Sequence, residues 1–454
     1  MDLLFTIAAF IVALGILIAV HEFGHFWVAR RVGIKVLRFS IGFGRPLLRW
    51  RRGADQTEYV IAAIPLGGYV RMLDEREEAV DEAELHRAFN RQRLWKRSAV
   101  VVAGPLFNLL FAVLAYWGLF VAGDTGLRPV IGEVAAESVA EQAGFAPGDE
   151  LLRIGDRPVQ SWETALFALT AEALEGGAVA VQVREKDGAE AARVLPAAAL
   201  ASIAESPDLV GQLGLEPERP RVAPVIGRVV AGEPAEQAGF MAGDRILSAD
   251  GTAIAGWRDW VDWVRERPQT PIAVEIVRAG EPLSLTVIPR AVEDAEGGRT
   301  GRIGAGVEMP EDLMADYRVE VHYGPIEALV KAADKTLDTS VMMLKVVGRM
   351  LVGQASVENL SGPITIAETA GRTASYGLDA FVKFLAVVSI SLGVLNLLPI
   401  PMLDGGHLVY FLIEWVKGSP VSEGAQVQAQ KVGLVLLAGL MSLAFYVDLS
   451  RLFG

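Results

Sequence analysis

The chain of 454 residues contains no cysteine and only five histidines, and its 42 basic residues are outnumbered by 55 acidic ones. The lack of cysteine excludes a disulfide-stapled fold. The net charge of −13 argues against a nucleic-acid partner, because binding phosphates requires a basic surface. With 52% hydrophobic residues, the composition also excludes a disordered or collagen-like chain. The positive mean hydropathy of +0.35 directs attention to membrane segments.

Long apolar runs occur at 1–29, 98–121, 380–405 and 431–450. At 1.5 Å per residue, a helix over each run could cross a hydrocarbon core of about 30 Å. These runs predict a polytopic α-helical membrane protein with four transmembrane helices. The first run could instead be a signal peptide, but Asp2 stands where such a peptide has a basic residue, and no small-residue cleavage site follows.

The segment 30–97 between the first two spans is rich in arginine. Counted from residue 29, it holds fifteen basic and nine acidic side chains. Basic loops remain on the cytoplasmic side, so this loop is expected there, and the long segment between the second and third spans is expected outside. Both termini then face outwards.

Part of this cytoplasmic loop, 58–72, is apolar and contains the turn-forming residues Pro65-Leu66-Gly67-Gly68 followed by Tyr69. The pattern predicts a β-hairpin with its turn at these residues. A hairpin associated with the membrane could hold an unwound substrate at its edge through Gly67, Gly68 and Tyr69. The alternative is a self-contained cytoplasmic hairpin.

The outer segment contains an internal repeat with an offset of 95 residues. Thirteen of the 29 positions from Ile131 onwards are identical to those from Ile226 onwards. Such a copy predicts two equivalent small domains, at 126–218 and 219–309. The recurrent phrase Ala-Gly-Phe followed by Gly-Asp resembles bacterial PDZ domains, which are α+β folds that bind extended peptides or C-termini. Two rigid spacers without a ligand are the alternative.

Residues 324–353 have apolar side chains at helical spacing. This pattern predicts an amphipathic helix. It could lie on the outer membrane surface or brace the repeated domains, and the sequence leaves both open.

Two of the five histidines stand in the motif His21-Glu22-x-x-His25 at the end of the first apolar run. Residues four apart share one face of a helix, so both imidazoles can bind one zinc ion, and Glu22 can accept a proton from a water on that ion. Ionisable residues inside a membrane span are costly unless they serve a site. The alternative is a buried polar cluster that holds helices together.

A zinc site that keeps a position for water needs a third protein ligand. The third span ends in Pro399-Ile400-Pro401-Met402-Leu403-Asp404, and the topology places Asp404 on the same side of the membrane as His25. Pro399 and Pro401 break the helix, so the chain can turn back towards the first span. His407, near Asp404, could support the ligands.

These motifs together resemble the site-2 protease family of intramembrane metalloproteases. The resemblance rests on the first-span motif, on Asn396 and the Pro-x-Pro-x-Leu-Asp-Gly sequence that follows it, on Gly104-Pro105 with Asn108, and on 359–364. It implies that His21, His25 and Asp404 bind zinc and that Glu22 is the general base. Asn396 would contact substrate or support the site. Asn108 would support the site or simply join helices.

The resemblance implies cleavage of the transmembrane segments of single-span proteins, such as a pre-trimmed anti-sigma factor or remnant signal peptides. It also implies a bacterial inner-membrane protein with periplasmic PDZ-like domains and an active site near the cytoplasmic side. Zinc is expected from the ligand types and the family. Two rivals remain at this point: a non-catalytic membrane-anchored PDZ scaffold, and a transporter, whose spans usually contain repeats that are not seen here.

Overall fold

The computed structural model describes residues 3–77, 79–203, 208–219, 222–293, 298–309, 313, 315–352 and 362–453. Residues 359–361, part of the segment compared above with the family, lie outside these ranges. Within the described ranges, four helices are long and apolar enough to cross a membrane, as predicted. They are Leu3–Arg31, Leu94–Ala122, Leu378–Asn396 and Glu423–Ser450.

The N-terminal part consists of two long helices separated by a small sheet. The first helix ends at Arg30 and Arg31, and the second ends at Gly123, whose φ of 108° is not helical. The elements are α1 (Leu3–Arg31), β1 (Val36–Arg52), β2 (Thr57–Met72), two 3₁₀ turns (Glu82–Arg87 and Phe89–Arg91) and α2 (Leu94–Ala122).

The predicted hairpin position at 58–72 is wrong. The strands β1 and β2 are both sharply bent, so their halves form four segments in the order 46–52, 57–62, 36–41, 68–72. The connecting turn lies at 53–56, where Gly53 and Gln56 have positive φ. Pro65 to Gly68 form a bend inside β2, and 36–41 lies between the two halves of that strand. The sequence did not predict a strand over the arginine-rich run 36–52, because its apolar and basic residues do not alternate regularly.

The outer segment begins and ends in a two-stranded sheet that pairs Asp124–Leu127 with Arg318–Val321. Between these strands, each copy of the repeat forms its own α+β unit with its own core, which fits the expected pair of PDZ-like domains. The first unit and its entry strand comprise β3 (Asp124–Leu127), β4 (Ile131–Val134), α3 (Val139–Gln142), β5 (Glu150–Ile154), β6 (Arg157–Pro158), α4 (Trp162–Glu175), β7 (Val179–Arg184), β8 (Glu190–Leu195), α5 (Ala197–Ile203), α6 (Leu209–Leu213) and β9 (Leu215–Pro217).

The second unit repeats this order up to the end of its four-stranded sheet, whose strand order corresponds to β6-β5-β7-β8 of the first unit. It then has two short paired strands where the first unit has α5 and α6. Both four-stranded sheets bury alternate apolar side chains of their long strands. The elements are β10 (Ile226–Val229), α7 (Pro234–Gln237), β11 (Arg245–Ala249), β12 (Thr252–Ala253), α8 (Trp257–Arg265), β13 (Ile272–Arg278), β14 (Glu281–Val287), β15 (Arg290–Glu293), β16 (Arg299–Arg302), β17 (Ala305–Val307) and the exit strand β18 (Arg318–Val321).

After β18, the described residues form five helices: α9 (Pro325–Leu351), α10 (Pro363–Tyr376), α11 (Leu378–Asn396), α12 (Asp404–Lys417) and α13 (Glu423–Phe453). The amphipathic helix α9 packs through Ala328 and Ala332 against α2 and α11. Its charged side chains also reach the first α+β unit, where Lys335 pairs with Glu163 and Lys345 pairs with Glu175. Of the two sequence-based alternatives, α9 therefore fits a brace for that unit.

The third spanning helix is shorter than the predicted 380–405. Helix α11 ends at Asn396, and Asp404 is instead the first residue of the separate helix α12. The intervening residues, which include Pro399 and Pro401, form an irregular turn. The reason is local: a proline lacks the N–H that a continuing helix requires, so two prolines close together end α11 and reverse the chain.

Candidate active site

His21 and His25 lie one turn apart on α1, and their side chains project from the same face. Their Nε2 atoms are 3.2 Å apart, and the two rings meet edge to face. Each side chain is only 12% exposed. The spacing of four residues thus produces the shared helical face that the sequence predicted.

Asp404 reaches the same point from the beginning of α12. Its Oδ2 atom lies 3.2 Å from Nε2 of His21 and 3.5 Å from Nε2 of His25. Among the described residues, these three form the one cluster of histidine, cysteine or acidic side chains with metal-ligand spacing. Residues from the two ends of the chain therefore converge in the membrane-spanning part.

The donor set fits zinc. Two ligands at about 2.0–2.2 Å from one zinc ion are about 3.3–3.6 Å apart in a tetrahedral site, close to the observed separations. Oδ2 of Asp404 is buried without a hydrogen-bond partner among the described residues, although two ring nitrogens surround it. Two imidazoles and a carboxylate whose ligand atoms converge on one point form a cation site, and three ligands leave one position for water.

Helix α2 supplies the contacts that orient both imidazoles. Nδ1 of His25 lies 2.8 Å from the carbonyl oxygen of Val100, to which it can donate only when Nε2 is free for a metal. Nδ1 of His21 lies 3.1 Å from Nδ2 of Asn108, whose Oδ1 is buried without a hydrogen-bond partner among the described residues. The donor and acceptor roles here depend on the tautomer and on the amide orientation, and with Oδ1 turned towards His21 the amide would accept a bond from Nδ1–H. Both Nε2 atoms are then available as ligands.

The close approach of α1 and α2 depends on glycine at two positions. A Cβ at Gly104 would overlap the imidazole of His25, and a Cβ at Gly24 would overlap the carbonyl of Ala103. The backbones therefore touch next to the histidines. Pro105, inside α2, follows directly after this contact.

Glu22 is buried, with 9% of its surface exposed, and it lies between α1 and the bent sheet. A Cβ at Gly68 would come within 2.9 Å of its Cγ and within 2.8 Å of a methyl carbon of Ile18. The carboxyl group is close enough to interact electrostatically with both histidines and Asp404. The edge segment 68–72 thus runs beside the candidate general base.

The other predicted residues surround this centre at different distances. Gly67 has a φ of 114° and packs against Phe43, whose ring stacks on that of Tyr69. Asn396 is the last residue of α11, and no hydrogen bond joins it to the cluster in the described part of the chain. The substrate-binding or supporting roles of Gly67, Tyr69 and Asn396 stay predictions.

The proline turn just before Asp404 contacts the fourth span. The Pro401 carbonyl is so close to Gly433 of α13 that a Cβ there would overlap it, while Pro399 is exposed. His407 is exposed and its ring contacts that of Tyr410, and in the described part of the chain no hydrogen bond joins it to the cluster.

Sequence reasoning missed three contributors: the Val100 carbonyl, the space at Gly104, and Ser389 of α11, whose hydroxyl bonds to the Asn108 backbone. A backbone carbonyl has no sequence signal. Gly104 was visible as part of a motif, but its proximity to the histidines depends on the helix crossing. Ser389 was visible only as one of two serines in an apolar span.

Comparison with known proteins agrees with this geometry. The model of the family described as "Peptidase family M50" matches residues 9–440. The chain is 42% identical over 456 residues to "Regulator of sigma-E protease RseP" of Salmonella typhimurium (strain 14028s / SGSC 2262), covering 100% of both chains. It is 43% identical over 468 residues to the protein of the same name from Escherichia coli (strain K12), again covering 100% of both.

A third relative, named "Putative zinc metalloprotease", comes from Vibrio cholerae serotype O1. It is 43% identical over 456 residues, which cover 99% of this chain and 100% of the relative. A family model that spans nearly the whole chain, together with full-length relatives at this identity, establishes the family and its metal chemistry. The chain belongs to peptidase family M50, the site-2 protease family, and is a zinc metalloendopeptidase.

Proposed function

We propose that this protein is an intramembrane protease that cleaves the transmembrane segments of single-span membrane proteins, with His21, His25 and Asp404 as zinc ligands and Glu22 as general base. The observation that carries the proposal is the convergence of these side chains on helices of membrane-spanning length and composition. Ionisable groups in such a position require a function that offsets their cost.

Zinc held by the three ligands would supply a Lewis acid that polarises the scissile carbonyl and makes a bound water acidic enough to attack near neutral pH. Glu22 accepts the proton of the attacking water and passes it to the departing amide nitrogen. Its burial beside Gly68 keeps this carboxyl group directed at the cluster. Asn108 and the Val100 carbonyl hold the imidazoles in the orientation that exposes Nε2.

The bent sheet is suited to hold an unwound substrate. A peptide bond within a transmembrane helix is protected, because its carbonyl is hydrogen-bonded along the helix. The segment 68–72 is an edge of the sheet, and its first residue, Gly68, touches α1 at Ile18 and Glu22. A substrate strand added to this edge would pass the general base in an extended form.

The orientation follows from the excess of basic residues in the loop between α1 and α2, which favours the cytoplasmic side for this loop and for the active site. The two PDZ-like units then lie in the periplasm and the protein in a bacterial inner membrane. The name of the relatives, regulator of sigma-E protease, supports a pre-trimmed anti-sigma factor as substrate and a role in the envelope stress response. Remnant signal peptides are also single membrane-spanning segments, so we include them among the proposed substrates.

In the proposed topology, the PDZ-like units lie on the opposite side of the membrane from the zinc ligands, so they take no part in the chemistry. Contacts with α9 and α11 hold the first unit above the outer end of the helix bundle. From this position the pair can bind extended peptides or C-termini and exclude substrates with large outer domains. Deleting 126–308 is then expected to permit cleavage of a substrate with an intact outer domain.

The decisive experiment measures cleavage of a model single-span substrate by the purified full-length protein, together with its zinc content. Glu22→Gln should abolish cleavage and leave about one zinc per chain. His21→Ala should abolish cleavage and also lose the bound zinc. His322→Gln, an exposed histidine in the outer segment, serves as the control. Cleavage by Glu22→Gln at the unaltered rate, or no zinc in the unaltered protein, would contradict the proposal and favour a PDZ scaffold.

A further inference from the structure

Ser389 lies on α11 with no exposed surface, and its hydroxyl donates a hydrogen bond to the backbone carbonyl of Asn108 on α2. The distance between the oxygens is 2.8 Å. This bond joins the second and third spanning helices. The residue that accepts it also contacts His21 through its side chain.

The direction of this bond differs from that of several other hydroxyl residues on the helices, although Thr365 also bonds to a neighbouring helix, at the carboxylate of Asp448. Hydroxyl residues on helices usually bond to the carbonyl four positions earlier on their own helix. Thr336, Ser340, Thr369 and Ser391 do this in the present structure. Ser389 instead directs its hydroxyl across the helix interface. Because the carbonyl of Asn108 is already in the α2 backbone ladder, the extra bond is not needed to satisfy it.

The next turn of α11 makes an equally close contact with α2. A Cβ at Gly393 would be 3.0 Å from the carbonyl oxygen of Pro105 and 3.3 Å from the side chain of Leu109. Ser389 and Gly393 therefore lie on one face of α11 that follows the backbone of α2 from Asn108 to Pro105. This contact fixes both the rotation and the height of α11 relative to α2.

The same two helices determine where the two parts of the ligand set lie. Helix α2 orients the histidines of α1 through Val100 and Asn108, and α11 leads through the proline turn to Asp404. The separation of 3.2 Å between His21 and Asp404 thus depends on how α2 and α11 are aligned. A hydrogen bond at the interface of these helices is well placed to control it.

We propose that Ser389 is a positioning residue of the zinc site. Its bond to the backbone carbonyl of Asn108 fixes α2 against α11 at the residue whose amide contacts His21, and so holds that amide against the imidazole. The inference rests on the proposed function, because it assumes that these three side chains bind zinc. Ser389 itself touches neither the ligands nor substrate. Its effect is therefore on metal affinity, and it acts through Asn108.

The test is a double-mutant cycle on the affinity for zinc, measured with full-length protein by competition with a fluorescent chelator. The Glu22→Gln background prevents self-cleavage and leaves the ligands intact. Contacts that orient metal ligands typically contribute 10- to 100-fold to affinity, so Ser389→Ala is expected to weaken binding about 10-fold. Asn108→Ala should weaken it at least as much. Ser391→Ala is the matched control, because that hydroxyl bonds to Val387 of its own helix and to Met343 of α9, and among the described residues it makes no hydrogen bond to α2.

The cycle identifies the route of the effect. If Ser389 acts through Asn108, Ser389→Ala has little further effect in the Asn108→Ala background. Ser389→Cys, similar in size but a weak donor, should resemble Ser389→Ala, which separates loss of the bond from loss of packing. Unchanged affinity in Ser389→Ala, full additivity with Asn108→Ala, or an equal loss in Ser391→Ala would overturn the proposal.

His21→Ala separates the two proposals. If the parent protein binds zinc and His21→Ala abolishes binding, the zinc site stands, and the Ser389 variants decide the positioning role on their own. If His21→Ala binds zinc as tightly as the parent, the ligand assignment itself fails.

Discussion

Gly104 of α2 lies directly against the Nε2 side of the His25 imidazole, so that a single added methyl group would occupy the space of the ring. The two helices cross at this point, and neither backbone can retreat easily, because Gly24 of α1 packs just as closely against the Ala103 carbonyl. The absence of a side chain at Gly104 is therefore a condition for the histidine pair.

Gly104→Ala is expected to displace the imidazole of His25 and to reduce zinc affinity at least 10-fold, because displaced ligands no longer match the spacing of the ion. Zinc content after dialysis against a weak chelator measures the effect. Gly118→Ala is the matched control, since this glycine of the same helix has open space where its Cβ would lie. Equal zinc retention in both variants would contradict the steric argument.

Gly68→Ala tests the contact between the bent sheet and the general base. A methyl group at Gly68 would be 2.9 Å from Cγ of Glu22 and 2.7 Å from the carbonyl oxygen of Ser40, so the edge strand and Glu22 must move apart. We expect kcat to fall at least 10-fold while zinc content remains unchanged, because the ligands are not touched. Gly15→Ala, on α1 with no neighbour near its Cβ, should leave both quantities unaltered. Loss of zinc from Gly68→Ala would indicate a different cause.

The ligand set illustrates how much the sequence could predict. His21, Glu22 and His25 share a helical turn, so their proximity follows from helix geometry alone. The predicted topology places Asp404 on the same side of the membrane as His25, but its position at the start of a new helix depends on the path of the proline turn. The membrane topology predicts which residues can lie close together, whereas the packing of separate helices determines their distances and orientations.

The bent sheet shows where a local sequence pattern leads to a wrong prediction. Pro65 to Gly68 form a convincing turn sequence, yet they bend one long strand, because 36–41 inserts between its two halves. Local turn propensity cannot reveal a strand that arrives from another part of the chain. Similarly, Ser389 and Val100 gain their roles from a neighbouring helix and have no local motif.

Glu163 of the first PDZ-like unit is expected to govern how firmly that unit is held. Its carboxylate accepts a bond of 2.8 Å from Lys335 of α9 and lies 3.3 Å from Lys383 of α11. Burial acts to raise the pKa of Glu163, but the two ammonium groups outweigh it, so the pKa is lowered from 4.5. A lowered pKa means that the contact contributes fully above about pH 4.5 and is lost as the pH falls through the folded-state value.

Glu163→Gln should therefore loosen the unit at neutral pH and remove the loosening that acid causes below the ordinary glutamate pKa. The effect should remain below about 1 kcal/mol, because the carboxylate is 48% exposed and partly screened. Since the chain has no cysteine, a cysteine pair at Arg157 and Asp338, which form a neighbouring ion pair, can report the separation by its rate of disulfide formation. Glu190→Gln, on the far strand of the same unit, is the control. Identical crosslinking rates in both variants would show that Glu163 does not hold the unit.

Asp448 of α13 is expected to anchor the fourth span to the rest of the bundle. It is buried, and its carboxylate accepts hydrogen bonds from the backbone N–H groups of Gly362, Ile364 and Thr365 and from the hydroxyl of Thr365. These groups form the first turn of α10, where N–H groups have no partner within the helix. An acidic side chain from another helix therefore caps α10.

Asp448→Ala removes this cap and leaves buried donors unpaired, so the free energy of unfolding should fall by about 2 kcal/mol. Asp448→Asn retains one acceptor oxygen and should lose less. Thermal unfolding of the detergent-solubilised protein measures both, and Asp379→Ala, an exposed aspartate in the first turn of α11, is the control. Because Asp448 does not belong to the metal cluster, zinc content should remain unchanged below the unfolding temperature. If Asp448→Ala unfolds at the same temperature as Asp379→Ala, other contacts between α10 and α13 hold the fourth span in place.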